Sequence, residues 1–206
     1  MPTTVHRPAT KAELVSLKIE LRVAQDGLDL LERKRDMLMA EGLKQLRQAK
    51  TLRQEVTKAW AVIHNNWQDT LEHESPHTLK RLAEAVEHSA LPGDSNRRWM
   101  SVELAELSLE KQPLRLLGSI SQVGIRPEQM RGMLAELMPD LVTLMSLETN
   151  IRRIADSLKQ CHRQVNALNQ VVIPELAQEK SRIEQRLEEK EREAIFQVKR
   201  LKARLL

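Results

Sequence analysis

Large aromatic side chains are nearly missing from this 206-residue chain, which has no Tyr, one Phe (Phe196) and three Trp (Trp60, Trp67 and Trp99). A globule of this length ordinarily fills its core with such groups, so one thick core is not the expectation. Cysteine is as scarce. With Cys161 alone, no intrachain disulfide can form, and a reducing compartment is the default. The six glycines are scattered, with no glycine-rich loop followed by Lys and Ser or Thr and no G-x-G-x-x-G, so the chain should hold no nucleotide or other cofactor itself. No apolar run approaches the ~18 residues that cross a bilayer, and Met1 to Ala9 lacks a signal-peptide pattern. The expectation is a cytoplasmic protein without direct membrane insertion.

Charge of one sign is also absent as a block. The net charge is +4 and the pI about 9.3, yet Lys and Arg alternate with Glu and Asp along the chain, as on solvated helix faces. A nucleic-acid partner, which needs a clustered basic stripe, is therefore not expected. His73 and His77 stand four apart beside Glu72 and Glu74, but Pro76 between them breaks the helix that a metal pair would need. No nucleophile, base and orienting group fall into a catalytic pattern, and no catalytic, cofactor or metal site is assigned.

What is present is helical periodicity at both ends. Thr10-Lys11-Ala12-Glu13 after Pro8 reads as a capping box, in which the Thr hydroxyl and Glu carboxylate satisfy free backbone amides. From there an apolar stripe runs Leu14, Leu17, Leu21, Ala24, Leu28, Leu31, Arg35, Leu38, Gly42, Leu46, Ala49, Arg53, Val56, Trp60, Ile63 and Trp67, averaging about 3.5 residues per step. Its irregular step follows Gly42, read as a local slip or a close approach of two backbones. A second stripe runs Ile151, Ile154, Leu158, Cys161, Val165, Leu168, Val172, Leu176, Glu179, Ile183, Leu187, Lys190, Ala194, Val198, Leu201 and Leu205, at about 3.6 per step. Pro174 lies inside it, and its missing N–H predicts a kink or local loosening.

Neither narrow stripe can be buried alone, so the ends are expected to pair. The fold class is all-α: a long antiparallel two-helix coiled coil of N- and C-terminal helices, with a small middle subdomain of short helices and room for a short β-hairpin. The expected organisation is an N-terminal extension at 1–9, an arm at 10–75, a middle head at 76–139 and a second arm at 140–206. Within the head, Thr78 to Ala90 reads as a short helix, Leu91 to Asn96 as a turn or loop, and Arg126-Pro127-Glu128 as a helix start, with Gly118 and Gly124 as punctuation. Met100 to Leu107 fits either strand or helix.

Antiparallel arms would bring Lys11, Lys18 and Arg22 to the same slender tip as Arg192, Lys199 and Arg200, a candidate partner-binding surface. One example of the register places Leu17 opposite Val198. Trp60 and Trp67, one heptad apart, read as core packing at the foot of the pair, with a partner surface as the alternative. Together with Trp99 they form the candidate head or foot contact.

Longer blocks carry a resemblance. Arg163-Gln164-Val165-Asn166-Ala167-Leu168-Asn169-Gln170-Val171-Val172-Ile173-Pro174 resembles the R-x-V-N-A-L-E-x-V-x-I-P signature of the D subunit of the V-type and archaeal or bacterial A-type rotary ATPases. Glu189 to Lys202 is similar to that family's E-x-E-R-E-[ED]-x-F-x-L-K-R-x-K segment, and Pro8 to Leu14 with Gly27 to Leu38 is similar to its opening arm. Asn169 and Ala194 stand where the family carries acids, and the middle matches only loosely around Trp99-Met100-Ser101-Val102. The resemblance implies a noncatalytic central-stalk rotor shaft that couples a membrane ion-translocating ring to ATP synthesis or hydrolysis, with protons or sodium ions as cargo. The implied partners are the catalytic A and B subunits of the hexamer, the small rotor F subunit and a funnel-like subunit on the membrane ring. On residues alone, the rival reading is an unrelated coiled-coil scaffold or tether that holds two partners apart.

Overall fold

A computed structural model describes residues 7–77, 79–80, 93–109 and 125–205. The chain runs through α1 (Lys11–His73), β1 (Gly93–Trp99), β2 (Val102–Ser108), α2 (Ile125–Ala167), a π-helical turn (Leu168–Val172) and α3 (Ile173–Leu205). Among the described residues the fold is all-α apart from one hairpin, and the N- and C-terminal helices pair as an antiparallel coiled coil. Two units divide it, one of Met1–Met37 with Leu158–Leu206 and the other of Leu38–Ser157, so α1 supplies a half to each. No helix among the described residues is long and apolar enough to cross a membrane.

In the first unit, α1 starts at a partial capping box. The Thr10 hydroxyl accepts from the Glu13 N–H at 3.2 Å. The reciprocal bond is not the one made, because the Thr10 N–H donates to the Pro8 carbonyl at 3.0 Å and the Glu13 carboxylate takes the Arg7 guanidinium at 3.2 Å. Arg7 also meets both oxygens of Glu20, at 3.0 and 3.1 Å, tying the incoming strand of chain to the helix flank. The seam of this unit buries Leu17, Cys161, Val165 and Ile183. The Cys161 thiol donates to the Leu31 carbonyl at 3.3 Å, which places it on the apolar stripe as a buried group. Lys18 with Glu184 and Lys11 with Glu191 span the two helices at 3.2 and 2.8 Å. These contacts set the register and correct one expectation: Leu17 lies level with Ile183, and Val198 is exposed on α3 beyond the start of α1.

Pro174 loosens its helix as its chemistry requires. Lacking an N–H, it leaves the Gln170 carbonyl without an i→i−4 donor, and its ring crowds that same oxygen. The preceding turn widens, so that the Ile173 N–H reaches the Leu168 carbonyl, five residues back.

The second unit packs α1 from Leu38 onward against α2. Its core joins Ala49, Val56 and Ile63 to Leu137 and Leu144, with Leu52, Ala59, Met130, Leu134, Leu141, Leu147 and Ile151 packed around them. Arg53 and Glu148 close to 2.6 Å at the edge of this pair. Gly42 marks a close approach without breaking α1. A Cβ there would stand 3.2 Å from the Ile154 Cγ2, so only a hydrogen lets the facing side chain in. The helix α2 starts at Ile125, well ahead of Asp140, and carries Pro127 in its first turn as the Arg126-Pro127-Glu128 pattern predicts.

The ambiguous stretch resolves as strand. β1 and β2 pair antiparallel from Gly93↔Ser108 to Trp99↔Val102 around a two-residue turn. Both turn residues have positive φ, 55° at Met100 and 135° at Ser101, a geometry that matches strand twist but usually selects Gly or Asn. Residues 93–96 are thus strand, not the loop that Pro92-Gly93-Asp94 suggests, because the hairpin ladder claims their backbone groups. Most of the helix expected at Thr78 to Ala90, together with Gly118 and Gly124, lies outside the described residues.

Candidate interaction surfaces

In the second unit the seam of α1 is Leu38, Gly42, Gln45, Ala49, Leu52, Val56, Ala59, Ile63, Asn66 and Thr70, all buried or half-buried. Its steps alternate four and three without a break, the spacing of a heptad seam. The slip expected after Gly42 is absent. Gln45, not Leu46, occupies the next seam position, and its Nε2 donates to Glu41 at 2.9 Å.

Immediately beside that seam runs a second heptad series: Met39, Leu43, Leu46, Lys50, Arg53, Thr57, Trp60, His64, Trp67 and Leu71, every one exposed. Trp60 keeps 52% of its surface open and Trp67 36%. The two tryptophans are therefore not core at the foot of the pair. They sit one residue around the helix from the half-buried Ala59 and Asn66 positions, on a face that nothing among the described residues covers. Single exposed apolar groups are ordinary, but Trp60, Trp67 and Leu71 fall within about three turns of one line, set apart from Leu43 and Leu46 by Lys50, Arg53 and Thr57, and exposed tryptophans so placed are common interface anchors. Trp99 stands apart from them, half-buried at the tip of the hairpin.

The basic tip is brought together only in part. Lys11 lies beside Arg192 through its ion pair with Glu191. Lys18 is level with Glu184, and Arg22 lies farther inward on α1. Lys199 and Arg200 belong to a length of α3 that continues past Lys190, whose ammonium reaches the Ala9 carbonyl at 3.3 Å. At ~1.5 Å per residue, Lys18 and Arg200 are separated by more than 20 Å along the pair. Three of the six cations have carboxylate neighbours: Glu191 for Lys11, Glu184 for Lys18, and Glu188 for Arg192 at 3.8 Å. The hydrogen bond from Lys11 holds the Glu191 carboxyl below, and the Lys11 ammonium above, their ordinary ranges. Past Lys190, α3 exposes Ile195, Phe196, Val198 and Leu201 together with Lys199, Arg200 and Lys202. Apolar and basic side chains are thus mixed around the whole circumference of this length of helix.

His73 ends α1, its Nδ1 beside the Asp69 carbonyl at 2.8 Å, and His77 lies beyond the helix end. The two do not share a helical face. Among the described residues no group of three or more His, Cys, Asp or Glu side chains is placed to hold a metal ion.

The chain is 27% identical to the D subunit of the V-type ATP synthase of Thermotoga neapolitana, over 95% of this chain and 97% of that protein. It is 30% identical to the D subunit of the A-type ATP synthase of Methanoregula boonei, over 95% of both chains. The D subunit of the V-type ATP synthase of Deinococcus radiodurans is 28% identical over 95% of this chain and 88% of its own length. The profile of the ATP synthase D subunit family matches residues 13–203, and this chain belongs to that family.

Proposed function

We propose that this chain is the noncatalytic central shaft of a V/A-type ATP synthase, carrying rotation between a membrane ion-translocating ring and the catalytic hexamer. It would serve ATP synthesis or hydrolysis coupled to proton or sodium transport, from the cytoplasmic side and peripheral to the membrane. Family membership supports a place in such a complex. The shaft role rests on one observation: in the first unit two helices bury a narrow seam, and α3 continues past it with apolar and basic side chains that no other described residue covers.

A rotating element can shift the states of its surroundings only through contact energies that differ between orientations. Weak, exposed contacts suit that role, since surface ion pairs contribute only ~0–1 kcal/mol each and do not fix one orientation. We assign Lys11, Lys18, Arg22, Arg192, Lys199 and Arg200 to contacts with the catalytic A and B subunits. Trp60, Trp67 and Trp99 are assigned to the small rotor F subunit and the funnel-like subunit on the ring.

The test is reconstitution of the whole complex with this chain ending at Glu191. Assembly should persist through the second unit, while ATP hydrolysis loses its coupling to ion transport by at least tenfold. Fully coupled transport by the shortened chain would overturn the assignment.

A further inference from the structure

The first unit is not evenly packed along its length. Leu17 and Ile183 are fully buried at one level, and Cys161 and Val165 nearly so at another. Between those levels no residue of either helix is buried, and the seam positions Leu21, Ala24, Leu28, Leu168, Val172 and Leu176 stay half-exposed. The Leu31–Cys161 and Lys18–Glu184 contacts bracket this stretch, so residues 22–30 of α1 face 168–177 of the other strand of the pair.

Both helices are weakened at that same level. On one side are the π turn and Pro174, a residue that cannot donate into the ladder, and no residue of the π turn is buried. On the other is Gly27, which costs a helix interior about 1 kcal/mol relative to Ala and where an added Cβ would meet nothing within 4 Å. One weak point in one helix could be splinted by its neighbour. Two at the same level cannot splint each other.

We propose that residues 22–30 and 168–174 form a flexure, a short segment that opens and twists locally while the layers at Leu17–Ile183 and Cys161–Val165 stay locked. The inference rests on the geometry of this unit and not on the rotor reading. If both hold, the flexure gives the shaft a torsional joint near its tip.

Amide hydrogen exchange on the full chain tests it. Fraying alone predicts protection falling steadily toward the chain ends. A flexure predicts a local minimum at 22–30 and 168–174, at least tenfold less protected than the residues around Leu17 and Ile183 beyond it. Pro174→Ala restores the donor to the Gln170 carbonyl and should slow exchange across 168–173 at least tenfold. Gly27→Ala should slow exchange across 23–30 about fivefold without touching the turn. A monotonic profile, or unchanged exchange in both variants, would overturn the proposal, whatever the outcome of the coupling assay.

Discussion

Asn150 is the side chain that fastens the hairpin to the helices of the second unit. Buried on α2, it accepts from the Ala105 N–H at 2.7 Å through Oδ1 and donates to the Ala105 carbonyl at 2.9 Å through Nδ2. Its amide thus copies the pair of bonds that a neighbouring strand would give β2. Arg153, one turn on, adds a bond from Nη1 to the Glu103 carbonyl at 2.8 Å. Asn150→Ala leaves two buried backbone groups without partners. At ~1–3 kcal/mol for each orphaned group, and with some water entering the vacated space, the docking of β2 should weaken by about 2–4 kcal/mol. The Ala105 amide reads this directly, and its exchange protection should fall by roughly 30- to 1,000-fold. Protection within threefold of the parent would refute the clamp.

The charge version separates a hydrogen-bond role from a packing role. In Asn150→Asp the ionised carboxylate still accepts from the Ala105 N–H but faces the Ala105 carbonyl oxygen, so the folded state favours the neutral acid and raises its pKa. A raised carboxyl pKa costs nothing below the unfolded value of ~3.9, where both states are protonated. Stability then falls as pH rises above that value and levels off beyond the folded pKa. The variant should approach the parent near pH 3.5 and lose to it at pH 7, measured as the difference in urea midpoints. A difference independent of pH would mean that the carboxylate escapes the Ala105 carbonyl.

Two further perturbations follow from the helices. Gln45 is a polar interruption of the seam whose Oε1 is buried with no partner among the described residues, so Gln45→Leu should stabilise the protein by ~1–2 kcal/mol and raise the urea midpoint. A lowered midpoint would show that the amide is satisfied in solution. At the other end, the Arg7 guanidinium holds the Glu20 carboxyl below its ordinary range, chiefly through their hydrogen bonds. That contribution is present above the unfolded pKa and is lost as pH falls through the lower folded value; both side chains are partly exposed, so it should not exceed ~1 kcal/mol. Carboxyl NMR should find Glu20 titrating below the ordinary glutamate range, and Arg7→Gln should return it to that range.

The pairing of the terminal helices was legible because an apolar stripe repeats at both ends and the family blocks fall on them in order. The face of α1 that lies inward beyond Gly42 was harder to read. Two heptad series run side by side there, one residue apart, and each advances by about 3.5, so periodicity cannot choose between them. Hydropathy favours Leu46 and Trp60; the structure buries Gln45 and half-buries Ala59 in the seam. The deciding quantity is distance, since Gly42, Ala49 and Ala59 let the partner helix approach where Leu43, Leu46 and Trp60 would hold it off. Reading the most apolar residue at each step therefore mixed the two series. Ala49, Val56 and Ile63 were placed correctly, and Leu46, Arg53, Trp60 and Trp67 were assigned to a seam they flank. The candidate interface was visible in the sequence as apolar bulk left over once the small residues take the inside.

Both helices raised the same arithmetical question, and chemistry answers it differently in each. Two successive steps of four add one residue to a heptad seam; the stripe of α1 carries such a pair at Gly42, and that of the other strand carries one across Leu168, Val172 and Leu176, just before the loosening expected at Pro174. Only the second exists. Glycine lowers helix propensity but keeps its N–H, so the hydrogen-bond ladder can pass through Gly42 without changing register. Proline has no N–H to keep. The turn before Pro174 must widen, and a π turn takes up the additional residue that the stripe carries there. The stripe also takes two successive steps of four at Glu179-Ile183-Leu187 and Lys190-Ala194-Val198, where the chain stays α-helical, so an average near 3.6 residues per step does not locate the π turn, whereas the donor inventory of the backbone places it within five residues.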